Sequence, residues 1–194
     1  MTSRPGSRRF VLLANATALA WAAGSLEAPA HRHPARRASP VDLRTAAEAV
    51  AAGTATFAVV YTAARVSRRI PILAAAATRA ARHSVEGSGA VVATTIVNGV
   101  AEELYFRDAL FRAVQDRHAV ATTSASYVLV TAATGNLALT LASAAVGPVL
   151  GWQRRRADTV IAPVIAHLTW SALSLWLIPP LFADEPIVIS DGVR

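Results

Sequence analysis

The chain has 194 residues, 54% of them apolar and 16% charged, with a mean hydropathy of +0.40. An ordinary water-soluble domain carries about 25% charge, so this balance excludes disorder and collagen and points to a membrane protein. All nineteen basic residues are arginine and the net charge is +7, but the arginines stand in short clusters between apolar stretches, as in loops beside anionic headgroups. Nucleic acid is therefore not an expected partner, because a nucleic-acid surface needs one continuous basic face. With no cysteine there is no disulfide, thiol nucleophile or cysteine metal site. Aromatic residues are only 6% while alanine is abundant, which favours closely packed helices over a lipid-facing barrel. The expected fold class is all-α, a polytopic membrane bundle of about six transmembrane helices.

In chain order, residues 1–9 read as a basic tail and residues 10–182 as one bundle. The first apolar stretch, Phe10 to Leu26, has the flanks of a signal peptide ending near Ala28-Pro29-Ala30; an uncleaved first span is the simpler reading, since the remainder is itself strongly apolar. A loop over 27–43 carries Pro29, Pro34 and Pro40 with His31 and His33, read as solvated histidines. A second span covers about Leu43 to Ala64, with Glu48 near enough to one end to reach the interface. Residues 65–87 are basic and suit a helix lying flat on the membrane. A long helical pattern then runs from Gly87-Ser88-Gly89 to Val114, about 40 Å at 1.5 Å per residue and so enough to cross a bilayer.

After the polar link Gln115 to Arg117, a fourth stretch from His118 to Thr134 is broken by Gly135-Asn136. A short fifth, Leu137 to Trp152, contains Pro148 and is expected to give way to a loop of Arg154, Arg155 and Arg156. The last span, Val160 to Ile178, stops at Pro179-Pro180, where the missing amide and the ring both oppose helix. Residues 183–194 form an acidic tail. The arginines divide evenly between the two sides of a six-span bundle, and only the first helix favours a cytoplasmic amino terminus.

The informative segment is Asn98-Gly99-Val100-Ala101-Glu102-Glu103-Leu104-Tyr105-Phe106-Arg107. Adjacent carboxylates in an apolar helix are costly unless paired or facing a polar cavity, so they mark a functional site by default. Helical spacing puts Glu103 and Arg107 one turn apart for an ion pair, and turns Glu102 onto the face of Asn98 and Phe106. One carboxylate is then fixed and the other is left free as a general base. The bland alternative is that both glutamates sit near the helix end and snorkel to water. In the last span, His167 and Ser171 are one turn apart and share a face; each could contact one substrate group, or His167 could be an ordinary hydrogen-bonded interior residue. A Ser/His nucleophile is weakly supported, since helical spacing alone does not activate a serine.

Glu102-Glu103-Leu104-Tyr105-Phe106-Arg107 resembles the Glu-Glu-x-x-x-Arg motif of the CAAX protease and bacteriocin-processing (CPBP or Abi) family, intramembrane endopeptidases similar to type II CAAX prenyl endopeptidase. His167-Leu168-Thr169-Trp170-Ser171 is similar to that family's later His-x-x-x-Asn motif, and the resemblance covers about residues 88–180. Where the family has Phe-x-x-x-His, this chain reads Ala132-Ala133-Thr134-Gly135-Asn136, with Asn136 in the histidine slot; Asp108 replaces the glycine after the arginine. The resemblance implies Glu102 as water-activating base, Glu103 and Arg107 as a structural and electrostatic pair, Asn136 as water positioner, and His167 and Ser171 as contacts to the oxyanion. It further implies a hydrophobic or lipidated peptide substrate within membrane lipids, an integral place in a bacterial cell membrane, and a divalent metal such as zinc on Glu102 and His167. The oligomeric state is open. Asparagine cannot take water's proton and is a poor metal ligand, so two other readings stand beside the peptidase. One is a catalytically impaired membrane protein on the same scaffold that binds a peptide or partner helix. The other is a small transporter with Glu102 and Glu103 as a proton relay.

Overall fold

The computed structural model describes residues 8–27, 41–85, 89–114 and 117–182. The loop histidines His31 and His33, the end of the signal-like stretch and the acidic tail lie outside them. Every regular element among the described residues is helical: α1 (Arg8–Glu27), α2 (Leu43–Ser67), α3 (Pro71–Val85), α4 (Gly89–Glu103), a π-helical stretch (Leu104–Leu110), α5 (Phe111–Val114), α6 (Ala119–Ala132), α7 (Leu137–Ala157), α8 (Ile161–Leu177) and a closing 3-10 turn (Pro179–Phe182). One of these, α2, is long and apolar enough to cross a membrane, and Leu12–Leu26, Ala119–Ala132 and Ile161–Leu177 are shorter apolar helices.

Local chemistry sets the boundaries. Asp42 caps α2 by accepting the Thr45 amide at 2.8 Å. Proline opens α3, where its fixed φ and absent amide do no harm. Gly135, at φ +69°, makes the turn that ends the α6 region, and the Asn136 carboxamide oxygen then caps α7 by accepting the amides of Ala138 at 3.0 Å and Leu139 at 3.2 Å.

Two details differ from the sequence reading. The helix after Gly89 is not α-helical throughout, because residues 104–110 widen into a π-helix. And α7 does not stop at Trp152 but carries Arg154, Arg155 and Arg156 in its last turn. Cations suit a helix C-terminus, where the dipole is negative, and the turn is closed by left-handed Asp158 (φ 50°), which accepts a hydrogen bond from Arg154 Nη1 at 3.2 Å.

Small residues let the helices approach. The core cluster Ala49, Val146, Leu150, Ala162 and Ala166 joins α2, α7 and α8. At Gly53 a Cβ would lie 2.4 Å from the Ala166 carbonyl oxygen, so only glycine permits α2 to press on α8 one residue before His167. On the far side α1 packs on α4, with Trp21 against Tyr105 and Phe106 at 5.0 and 5.1 Å between ring centroids.

Candidate active site

Three helices supply the polar centre. From the end of α4 come Glu102 and Glu103, from the π-helical stretch Arg107, and from α8 His167. Glu103 and Arg107 are fully buried, and Arg107 Nη1 lies 3.3 Å from Glu103 Oε1. The spacing argument thus finds its ion pair, and complete burial removes the snorkelling alternative for Glu103. Arg107 is held on three further sides: Nη2 donates to the Gly147 carbonyl of α7 at 3.2 Å, and the guanidinium lies 4.8 Å from the Tyr127 ring centroid and 5.7 Å from that of Phe106.

The same Glu103 oxygen is 2.8 Å from His167 Nδ1. A carboxylate already paired with arginine is an acceptor, so His167 donates through Nδ1 and its ring orientation is fixed. The ring packs beside Gly99, whose missing side chain leaves van der Waals room: a Cβ there would stand 3.5 Å from His167 Nε2. His167 Nε2 then faces Glu102, with 4.0 Å to Oε2. Of the two glutamates Glu102 is the accessible one, its side chain 24% exposed. Four groups therefore form a chain in space, Arg107 to Glu103 to His167 to Glu102, anchored at the arginine and open at the second carboxylate.

Sequence reasoning missed two members of this group. Tyr127, on α6, donates its phenolic hydrogen to Glu102. Arg154, read as part of a loop, is buried and donates through Nε to the Arg107 carbonyl at 2.8 Å, with its guanidinium 5.3 Å from the Phe111 ring centroid. A tyrosine among apolar residues and an arginine in a basic cluster carry no spacing signal; only the pairing of α6 with α7 and of α7 with the π-helical stretch brings them in. The π-helix itself is a rare conformation that recurs at functional sites.

Ser171 lies one turn beyond His167 on α8 and is buried. Asn136 is engaged elsewhere: besides capping α7, its Nδ2 donates to the Ala76 carbonyl of α3 at 3.1 Å. Its hydrogen bonds among the described residues go to backbone, not to the carboxylates. As to the metal that the resemblance implies, Glu103 is already engaged by Arg107 and His167, leaving Glu102 and His167 Nε2. Two donors fall short of the three protein ligands of a catalytic zinc site, and the described residues contain no group of three histidine or acidic side chains placed for a metal.

A helical bundle that buries an arginine–glutamate–histidine chain beside a second, accessible glutamate falls among membrane proteins with a polar centre. Residues 85–173, just under half of the chain, match the family described as type II CAAX prenyl endopeptidase Rce1-like. Over that span the chain is a member of the CAAX protease and bacteriocin-processing family, a membrane-embedded family of endopeptidases. No curated protein and no solved structure matches the chain.

Proposed function

We propose that the protein is an intramembrane endopeptidase that cleaves a hydrophobic or lipidated peptide with a water activated by Glu102. The observation that carries this reading is the 4.0 Å separation between Glu102 Oε2 and His167 Nε2, too long for a direct hydrogen bond and suited to one water touching both. Glu102 takes a proton from that water as its oxygen adds to the scissile carbonyl carbon, and then passes the proton to the departing amine. His167, held by Glu103, donates from Nε2 as imidazolium to the oxyanion that develops, and Ser171 is a second candidate donor one turn away. Tyr127 fixes the carboxylate of Glu102 from the opposite helix. Arg107 keeps Glu103 ionised and so keeps the imidazole oriented. Nothing in this scheme is asked of Asn136. The bundle is proposed to cross the membrane about six times, in a bacterial cell membrane, with substrate entering from the lipid.

Cleavage of a hydrophobic reporter peptide by the full-length protein in liposomes tests this. Glu102→Gln keeps shape and polarity but removes the proton acceptor, and the rate is expected to fall by about 10² to 10⁴ while the protein remains folded. The side chain of Asn136 being engaged by α3 and α7 favours one alternative, a scaffold that binds peptide without cutting it. Wild-type protein that binds the reporter and never cleaves it would establish that alternative.

A further inference from the structure

At the C-terminal end of α2, Thr62, Arg65, Val66, Arg68 and Arg69 line a cavity of about 550 Å³. Its charge is not offset along the chain: no acidic residue occurs between Glu48 and Glu86, whereas Arg65, Arg68, Arg69, Arg79 and Arg82 all do. The opposite end of the bundle contrasts with it. There Arg44 and Arg156 both pair with Glu48, at 3.0 and 3.3 Å, Arg112 with Asp108 at 2.7 Å, and Arg154 with Asp158 at 3.2 Å. The sequence shows an even split of arginines between the two ends; the structure shows one end supplied with carboxylates and the other with a cavity.

We infer that this cavity binds the phosphate of an anionic phospholipid headgroup. Guanidinium groups grip phosphate oxygens through paired N–H donors, and Thr62 adds a hydroxyl. Depth fits too, since Arg65 stands in the last turn of α2, the helix long and apolar enough to cross a bilayer. The surroundings favour a lipid over a soluble phosphate: Val66, Ile70 and Ile72 are exposed at 54%, 44% and 68%, an apolar rim that acyl chains cover and water does not reward. The same chemistry orients the bundle, turning the α2 C-terminus towards the leaflet rich in anionic lipid. This inference stands independently of the peptidase reading.

The test uses full-length protein in detergent, titrated with phosphatidylglycerol or phosphatidylcholine, with bound lipid counted by native mass spectrometry. Phosphatidylglycerol is expected to be retained in preference to phosphatidylcholine. The double variant Arg65→Gln/Arg69→Gln should bind it about 25-fold more weakly, roughly fivefold per arginine, with phosphatidylcholine unaffected. Arg112→Gln, at the carboxylate-rich end, should bind as wild type does. Equal retention of the two lipids, or a double variant indistinguishable from wild type, would overturn the inference. Displacement of phosphatidylglycerol by inorganic phosphate at equal concentration would reassign the cavity to a soluble anion and overturn the lipid assignment. If the double variant does not fold, wild-type protein decides: about 0.5 M salt screens such contacts and must release the bound lipid, and retention there is the contrary result.

Discussion

Arg107 shows why a single side chain can be both structural and functional. It is fully buried, and its charge is matched by Glu103, by the Gly147 carbonyl and by two aromatic faces. Replacing the pair with apolar residues could be tolerated, but removing one partner leaves a buried charge with nothing opposite it, a penalty of about 3 to 5 kcal/mol. Arg107→Ala is therefore expected to lower folded yield and thermal midpoint in detergent, and unchanged stability would mean that the ion pair contributes little. Arg107→Lys should recover only part of the loss, since an ammonium cannot span Glu103 and Gly147 in one plane. By the same reasoning the two neighbouring glutamates differ in kind: Glu103 is held on both sides, while Glu102 remains accessible beside it.

Among the elements, the helical boundaries were largely legible because capping residues, prolines and apolar runs are local signals. The break at Gly135-Asn136 and the stop at Pro179-Pro180 fall where their backbone chemistry requires. The π-helical stretch was not legible: Leu104 to Leu110 has ordinary helix-forming residues, and what accompanies the wider turn is a contact 47 positions away, Arg154 on the Arg107 carbonyl. The extension of α7 through Arg156 was missed for a related reason. A basic cluster reads as a loop until a carboxylate such as Asp158 and the helix dipole are found to receive it. Asn136 illustrates the converse, a residue whose position in a motif suggests chemistry and whose hydrogen bonds are those of a cap. Asn136→Ala should cost about 1 kcal/mol from the lost cap and expose the first α7 amides to faster hydrogen exchange. Slow exchange at Ala138 and Leu139 in that variant would show that the cap is dispensable.

For the molecule as a whole, composition indicated the all-α class, and the pairing of helices supplied what composition could not. Glu102, Glu103, Arg107 and His167 could be singled out from two short segments, but their convergence depends on α8 lying against α4 and on Gly53 and Gly99 admitting the close approach. A bundle this apolar, exposing Leu12, Leu19, Leu43, Leu129 and Trp176 at 69% or more, is expected to require detergent or lipid for recovery, with α2 protected from protease in sealed vesicles. A monodisperse, detergent-free monomer would contradict a membrane-spanning bundle.

The account turns on Glu102 and His167 acting on one water. In liposomes, the cleavage rate of a hydrophobic reporter should be compared for wild type, Glu102→Gln, His167→Ala and the double variant. Groups that act as a unit are not additive, so each single change should lower the rate by about 10² to 10⁴, with the double variant little slower than the worse single. A double variant slowed by the product of the two single effects would mean that the residues act separately and would contradict the shared-water site.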